Sequence, residues 1–158
     1  MKKSAPLAAA LIAASSIGLY GCGTPSAFDD PCHLLSRSVV ADITGVTMLR
    51  ADYDEDLSND HQSVCAWRPA AGGYPVVQVF VSEGGDQVAT QRADAESGLG
   101  ASTDVTIDGA TDAYVVGKGS IVGMVVDDTF VQVALIEPTG QDVSDITIAL
   151  AKEAAARA

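Results

Sequence analysis

Residues 74–82 (YPVVQVFVS) constrain the fold more than any other stretch, because Val77, Val79 and Val81 fall on one side of an extended chain and Val76 and Phe80 on the other. A strand that is apolar on both sides must be covered on both sides, so the sheet containing it needs two layers of cover. Other strand signals surround it. Residues 63–68 alternate around Cys65 and Trp67, and Ala70-Ala71-Gly72-Gly73 is the turn between the two runs. Residues 105–107, 113–116, 120–126 and 129–136 are also β-rich, with Gly117-Lys118-Gly119 and Asp127-Asp128 as hairpin turns. Residues 46–53 are a further candidate strand, followed by the acidic loop Asp54-Glu55-Asp56-Leu57-Ser58-Asn59-Asp60.

Helical signals punctuate this β-rich chain. Asp30 as N-cap and Pro31 at the first helical position open a helix that Gly45 ends, with Cys32, Leu35, Val39 and Ile43 on its apolar stripe and His33 and Arg37 off it. A weaker helix follows Gly84-Gly85-Asp86 and runs to about Ser97, its face of Val88, Ala95 and Leu99 only thinly apolar. A third begins near Asp142, with Val143, Ile146, Leu150 and Ala154 on one stripe. The order α, β meander, α, β meander, α predicts an α+β fold, an antiparallel sheet packed by helices on both faces as an α-β-α sandwich. Residues 30–158 form its single domain.

The N-terminal segment predicts where the chain works. Lys2 and Lys3 precede a largely apolar run over residues 5–19, and Leu19-Tyr20-Gly21-Cys22 has the form of a lipobox, with small Gly21 before the cysteine. Residues 1–21 are then a lipoprotein signal peptide and residues 22–29 a short lipidated tether. Acyl chains on Cys22, palmitate among them, hold the chain to a bacterial membrane on the extracytoplasmic side, in the periplasm or outside the cell. A plain cleaved signal is the alternative. A membrane span fits poorly, since Pro6, Ser15, Ser16 and Gly18 interrupt a run shorter than the roughly 20 residues a span needs. The formal charge of −12 becomes −14 once Lys2 and Lys3 are cleaved away. So acidic a chain is repelled by nucleic acid and by anionic headgroups, and no nucleic-acid partner is expected.

In an oxidising compartment the three cysteines divide into Cys22 for the lipid and Cys32 with Cys65 as an even pair, which predicts a disulfide. The alternative is a Cys2His2 metal site using His33 and His61, whose spacing matches no zinc pattern.

Other chemical signals are sparse. Gly117-Lys118-Gly119-Ser120 echoes a phosphate loop, but Asp112 stands where the first glycine is required and a valine-rich strand follows in place of a helix. There is no Gly-x-Ser-x-Gly elbow, and only His33 and His61 are available to a Ser-His-Asp site. Asp52, Asp54, Glu55, Asp56 and Asp60 make the acidic loop a weak calcium candidate, with Asp54, Asp56 and Asp60 foremost. The loop lacks the central glycine and twelfth-position glutamate of a calcium-binding hand. No catalytic residue and no cofactor is expected.

Asp30-Pro31-Cys32-His33-Leu34-Leu35-Ser36, Cys65-Ala66-Trp67 and Gly109-Ala110-Thr111-Asp112-Ala113-Tyr114, in that order, resemble a family of uncharacterised, mostly actinobacterial lipoproteins, over residues 30 to about 155. The resemblance implies that Cys32 and Cys65 pair, that Trp67 is a core residue, and that the fold is a sandwich like that of photosystem-associated PsbP-like proteins. It implies no reaction. The expected function is a membrane-anchored, non-enzymatic binding or accessory module whose partner is another envelope protein. The alternatives are a small-molecule or lipid carrier, or an enzyme, with a pocket between sheet and helix, and a calcium-dependent structural module.

Overall fold

The structure, a computed structural model, describes residues 30–158; the expected signal peptide, Cys22 and the expected tether lie outside the described residues. Its strands are β1 (Asp52–Tyr53), β2 (Gln62–Trp67), β3 (Val76–Glu83), β4 (Thr103–Asp104), β5 (Thr111–Val116), β6 (Ile121–Val126) and β7 (Thr129–Ile136). They form one antiparallel sheet in the order β1-β2-β3-β7-β6-β5-β4. The two meanders meet at its centre, where β3 pairs with β7 from Val76↔Ile136 to Glu83↔Thr129. Both edge strands, β1 and β4, are two residues long, which leaves little ladder for another chain to extend.

The helices are α1 (Arg37–Thr44), α2 (Val88–Leu99) and α3 (Ser144–Ala155). Val77, Val79, Val81, Val131 and Val133 turn to one face with Cys65 and Trp67, and there meet Val40 of α1 and Leu150, Ala151 and Ala154 of α3. Each fully buried valine contributes roughly 1.5–3 kcal/mol relative to exposure, so this layer dominates the stability of the fold. Phe80, Tyr114, Val116 and Phe130 turn to the other face, where Val88 and Ala95 of α2 pack on them. The predicted two-sided cover is what the chain builds. No helix among the described residues is long and apolar enough to cross a membrane.

Three local expectations are corrected. The helix predicted from Asp30 to Gly45 divides into a 3-10 turn, Pro31–His33, capped by Asp30, and α1, capped by the Ser36 hydroxyl on Val39 N at 3.3 Å. Ser36 restarts the helical phase, so Val40 is the fully buried residue of α1, while Val39 and Ile43 flank it half-buried. The strand predicted over residues 46–53 shortens to β1 plus an isolated bridge, Met48↔Pro69. The strand predicted at 105–107 lies two residues earlier, because Ile107 leaves the ladder to enter the core.

On the second face α2 is fastened by one cluster. Arg92 donates to Ser102 Oγ and pairs with Asp104, both at 2.7 Å, and its guanidinium lies 5.2 Å from the centre of the Tyr114 ring. That ring lies over Gly123, where any side chain would meet Tyr114 Cζ at 2.5 Å. The Tyr114 hydroxyl is buried without a hydrogen-bond partner among the described residues, and burial pushes its pKa up to about 12. The folded state therefore holds this proton more tightly than the unfolded state, so stability falls as pH rises above the ordinary value of 10.0 and through the folded value of about 12. Tyr114→Phe is expected to remove this alkaline loss. At neutral pH it should leave stability unchanged or raise it by about 1 kcal/mol, because an orphaned hydroxyl goes while the ring under Arg92 stays. Urea melts of both proteins across the alkaline range check this; a clear destabilisation at pH 7 would contradict it.

Candidate functional site

Where the chain enters the domain, the 3-10 turn packs against β2 and β3. The Cys32–Cys65 disulfide, with a Cα–Cα distance of 5.2 Å, ties the turn to the sheet. Both sulfurs are used in that bond, so the Cys2His2 metal alternative is overturned. Beside the disulfide lies an open cleft of about 490 Å3, lined by Asp30, Cys32, His33, Leu35, Ser36, Arg37, Arg50, Ala51, Tyr53 and Trp67. Leu35 and Trp67 are its apolar floor, 1 % and 0 % exposed. The polar side of the first turn and helix, where sequence periodicity puts His33 and Arg37, becomes one wall. The segment leading into β1 brings Arg50 to the other, and β1 itself brings Tyr53.

The cleft is rich in unused donors. Arg68, Arg92 and Arg157 each pair with carboxylates, yet neither Arg37 nor Arg50 has a carboxylate within 4.0 Å among the described residues. In a chain with 21 acidic and 9 basic residues, two unpaired guanidiniums at one cleft reverse the local sign of charge. The Trp67 indole N–H is buried with no partner among the described residues. Asp30, the one carboxylate in the lining, is already engaged: its Oδ1 accepts from Cys32 N at 3.0 Å. Chemically, the arrangement offers forked guanidinium donors beside an apolar floor that includes Trp67, a set that matches the oxygens of a phosphate or carboxylate on a partly apolar ligand.

The other candidates do not converge in this way. Asp30, His33 and Ser36 share the cleft, but His33 Nδ1 contacts the Asp30 backbone carbonyl and the Ser36 hydroxyl meets Val39 N and Ser38, so no relay from carboxylate to imidazole to hydroxyl is formed. His61 lies on a different part of the surface, beside Phe80 and Ser82. In the acidic loop, Arg68 reaches Asp52 at 3.8 Å and Asp54 at 4.0 Å, the place a cation would take, and Asp54 Oδ1 caps its own turn through Leu57 N at 3.2 Å. Asp56 and Glu55 line the same shallow hollow, while Asp60 does not. No group of three or more His, Cys, Asp or Glu among the described residues is placed to share a metal ion. Gly117, Lys118 and Gly119 form a hairpin turn with positive φ throughout, as expected for a turn and not a phosphate loop.

No family model, no curated protein and no solved structure matches this chain.

Proposed function

We propose that this chain is a non-enzymatic binding module of a bacterial envelope, tethered through acyl chains on Cys22, which uses the cleft beside the disulfide to hold an anionic group of another envelope component. The lipobox and the resemblance to actinobacterial lipoproteins support the location. The unpaired Arg37 and Arg50, together in one cleft of an otherwise acidic protein, carry the reading of the ligand. The open mouth suits a protruding phosphate or carboxylate on a larger molecule. A carrier for a small anionic amphiphile is the second reading. It draws on the cleft volume of about 490 Å3, inside the roughly 300–1,000 Å3 of ligand pockets, and on the apolar floor.

Cys22→Ala is expected to release the chain from membranes while leaving the domain intact, so binding is measurable in solution. Calorimetric titration of that chain with inorganic phosphate and with acetate is expected to show saturable binding of at least one of them. Arg37→Ala and Arg50→Ala should each weaken it about tenfold or more, the loss of one charge-assisted hydrogen bond. Both arginines are exposed, so stability should stay within about 0.5 kcal/mol of the parent. Binding that ignores both substitutions would remove the cleft from the account.

A further inference from the structure

On the face of the sheet opposite the arginine cleft, a smaller hollow of about 270 Å3 opens beside the start of α2. Three elements build it. Gln62 and Ser82 stand opposite each other across the β2–β3 pair, and Phe80 lies on the same face of β3. Gln87, just before α2, and Gln91, in its first turn, are four residues apart and so share one side of the helix. His61 and Glu83 complete the rim. Ser82 is 7 % exposed, and its hydroxyl is buried with no hydrogen-bond partner among the described residues. A hydroxyl left unsatisfied at the floor of an open polar hollow marks a place where a ligand atom belongs. No hydrogen bond joins it to His61, so it is not activated as a nucleophile.

The chemistry of the lining selects the ligand. It contains no lysine or arginine and one carboxylate, Glu83, so in a chain of formal charge −12 it does not favour anions. A primary amide places donor and acceptor side by side, and three of them face this hollow. The amide nitrogen of Gln62 donates to Leu57 O at 2.6 Å, and its amide oxygen remains an acceptor. Neighbouring hydroxyls on one ring match amides and a serine hydroxyl, and the C–H face of the same ring packs against an aromatic such as Phe80. We propose that this hollow binds a neutral, hydroxylated ring of the kind glycans carry. Its volume, below the roughly 300–1,000 Å3 of larger ligand sites, holds one ring at a time. The site is independent of the arginine cleft.

The test is a titration of the full chain carrying Cys22→Ala with the disaccharide of N-acetylglucosamine, followed by amide-proton NMR, with N-acetylalanine amide as a peptide-like probe. The expected result is saturable shifts at Gln62, Ser82 and Gln91 with the sugar, while the Trp67 indole signal stays in place. Ser82→Ala and Gln91→Ala should each weaken binding about threefold to tenfold, the loss of one neutral hydrogen bond, with the melting temperature held. The absence of saturable shifts, shifts that survive both substitutions, or a stronger response to the peptide-like probe would overturn the proposal.

Discussion

Gly119→Ala is expected to destabilise the domain by on the order of 3–5 kcal/mol, a large part of the 5–15 kcal/mol typical of a folded domain. Gly119 has φ +83°, and a Cβ built there lies well inside van der Waals contact with the backbone N and Cα of Ser144. Backbone at the head of a helix cannot swing aside as a side chain can. The hairpin and α3 are also joined by Val143 N to Lys118 O at 2.9 Å, so separating them strips cover from Leu150 and Ala151. The left-handed conformation costs an alanine about 1–2 kcal/mol and overpacking about 1–3 kcal/mol, occasionally more. Gly109→Ala separates the two terms, since Gly109 has φ +82° but its nearest obstacle, Ala155 O, is 4.0 Å away. That variant should lose only the conformational part. Thermal melts check both, with Gly119→Ala expected roughly 10–20 °C below the parent. Equal losses in the two variants would show that the contact with Ser144 does not matter.

Replacing both Cys32 and Cys65 with serine is expected to cost about 2–5 kcal/mol. The two cysteines are 33 residues apart. Closing a loop of that size removes on the order of 3–4 kcal/mol of conformational freedom from the unfolded chain in the entropic model. Cys65 is 0 % exposed, so the variant also places a hydroxyl in the apolar layer. The effect reaches the candidate site, because the 3-10 turn that the bond ties down supplies His33 to the cleft wall. Denaturant melts with and without reductant check the stability. A reduced protein as stable as the oxidised one would mean that packing alone holds the turn.

Most of the architecture was legible in the sequence because it rests on side-chain alternation and turn chemistry, which are local. Val77, Val79 and Val81 announce a buried face, and Asp127 and Asp128 occupy left-handed positions at φ 46° and 63° in the two-residue turn predicted there. Boundaries were missed where a short polar side chain resets the backbone, as Ser36 does within the first helix. The disulfide was legible by counting cysteines. The cleft was not, because it joins Arg37, Arg50 and Trp67 across a helix, a connecting segment and a strand, and no sequence spacing encodes that meeting. The one available signal was the rarity of basic residues, which makes any two that stay unpaired conspicuous. The hollow around Ser82 was hidden for the same reason, since Gln62, Ser82 and Gln91 come together only once β2, β3 and α2 are packed.

The central claim is that the cleft beside the disulfide receives an anionic group, and Trp67 reports on it directly. It is the single tryptophan of the chain, so its indole N–H gives one proton signal without assignment ambiguity. That N–H is buried with no hydrogen-bond partner among the described residues. Addition of a phosphate- or carboxylate-bearing ligand is expected to move the signal in a saturable manner as negative charge settles above the cleft floor, and the Arg37→Ala, Arg50→Ala double variant should abolish the movement. An indole signal that stays fixed while the same anions bind elsewhere on the protein would contradict the account.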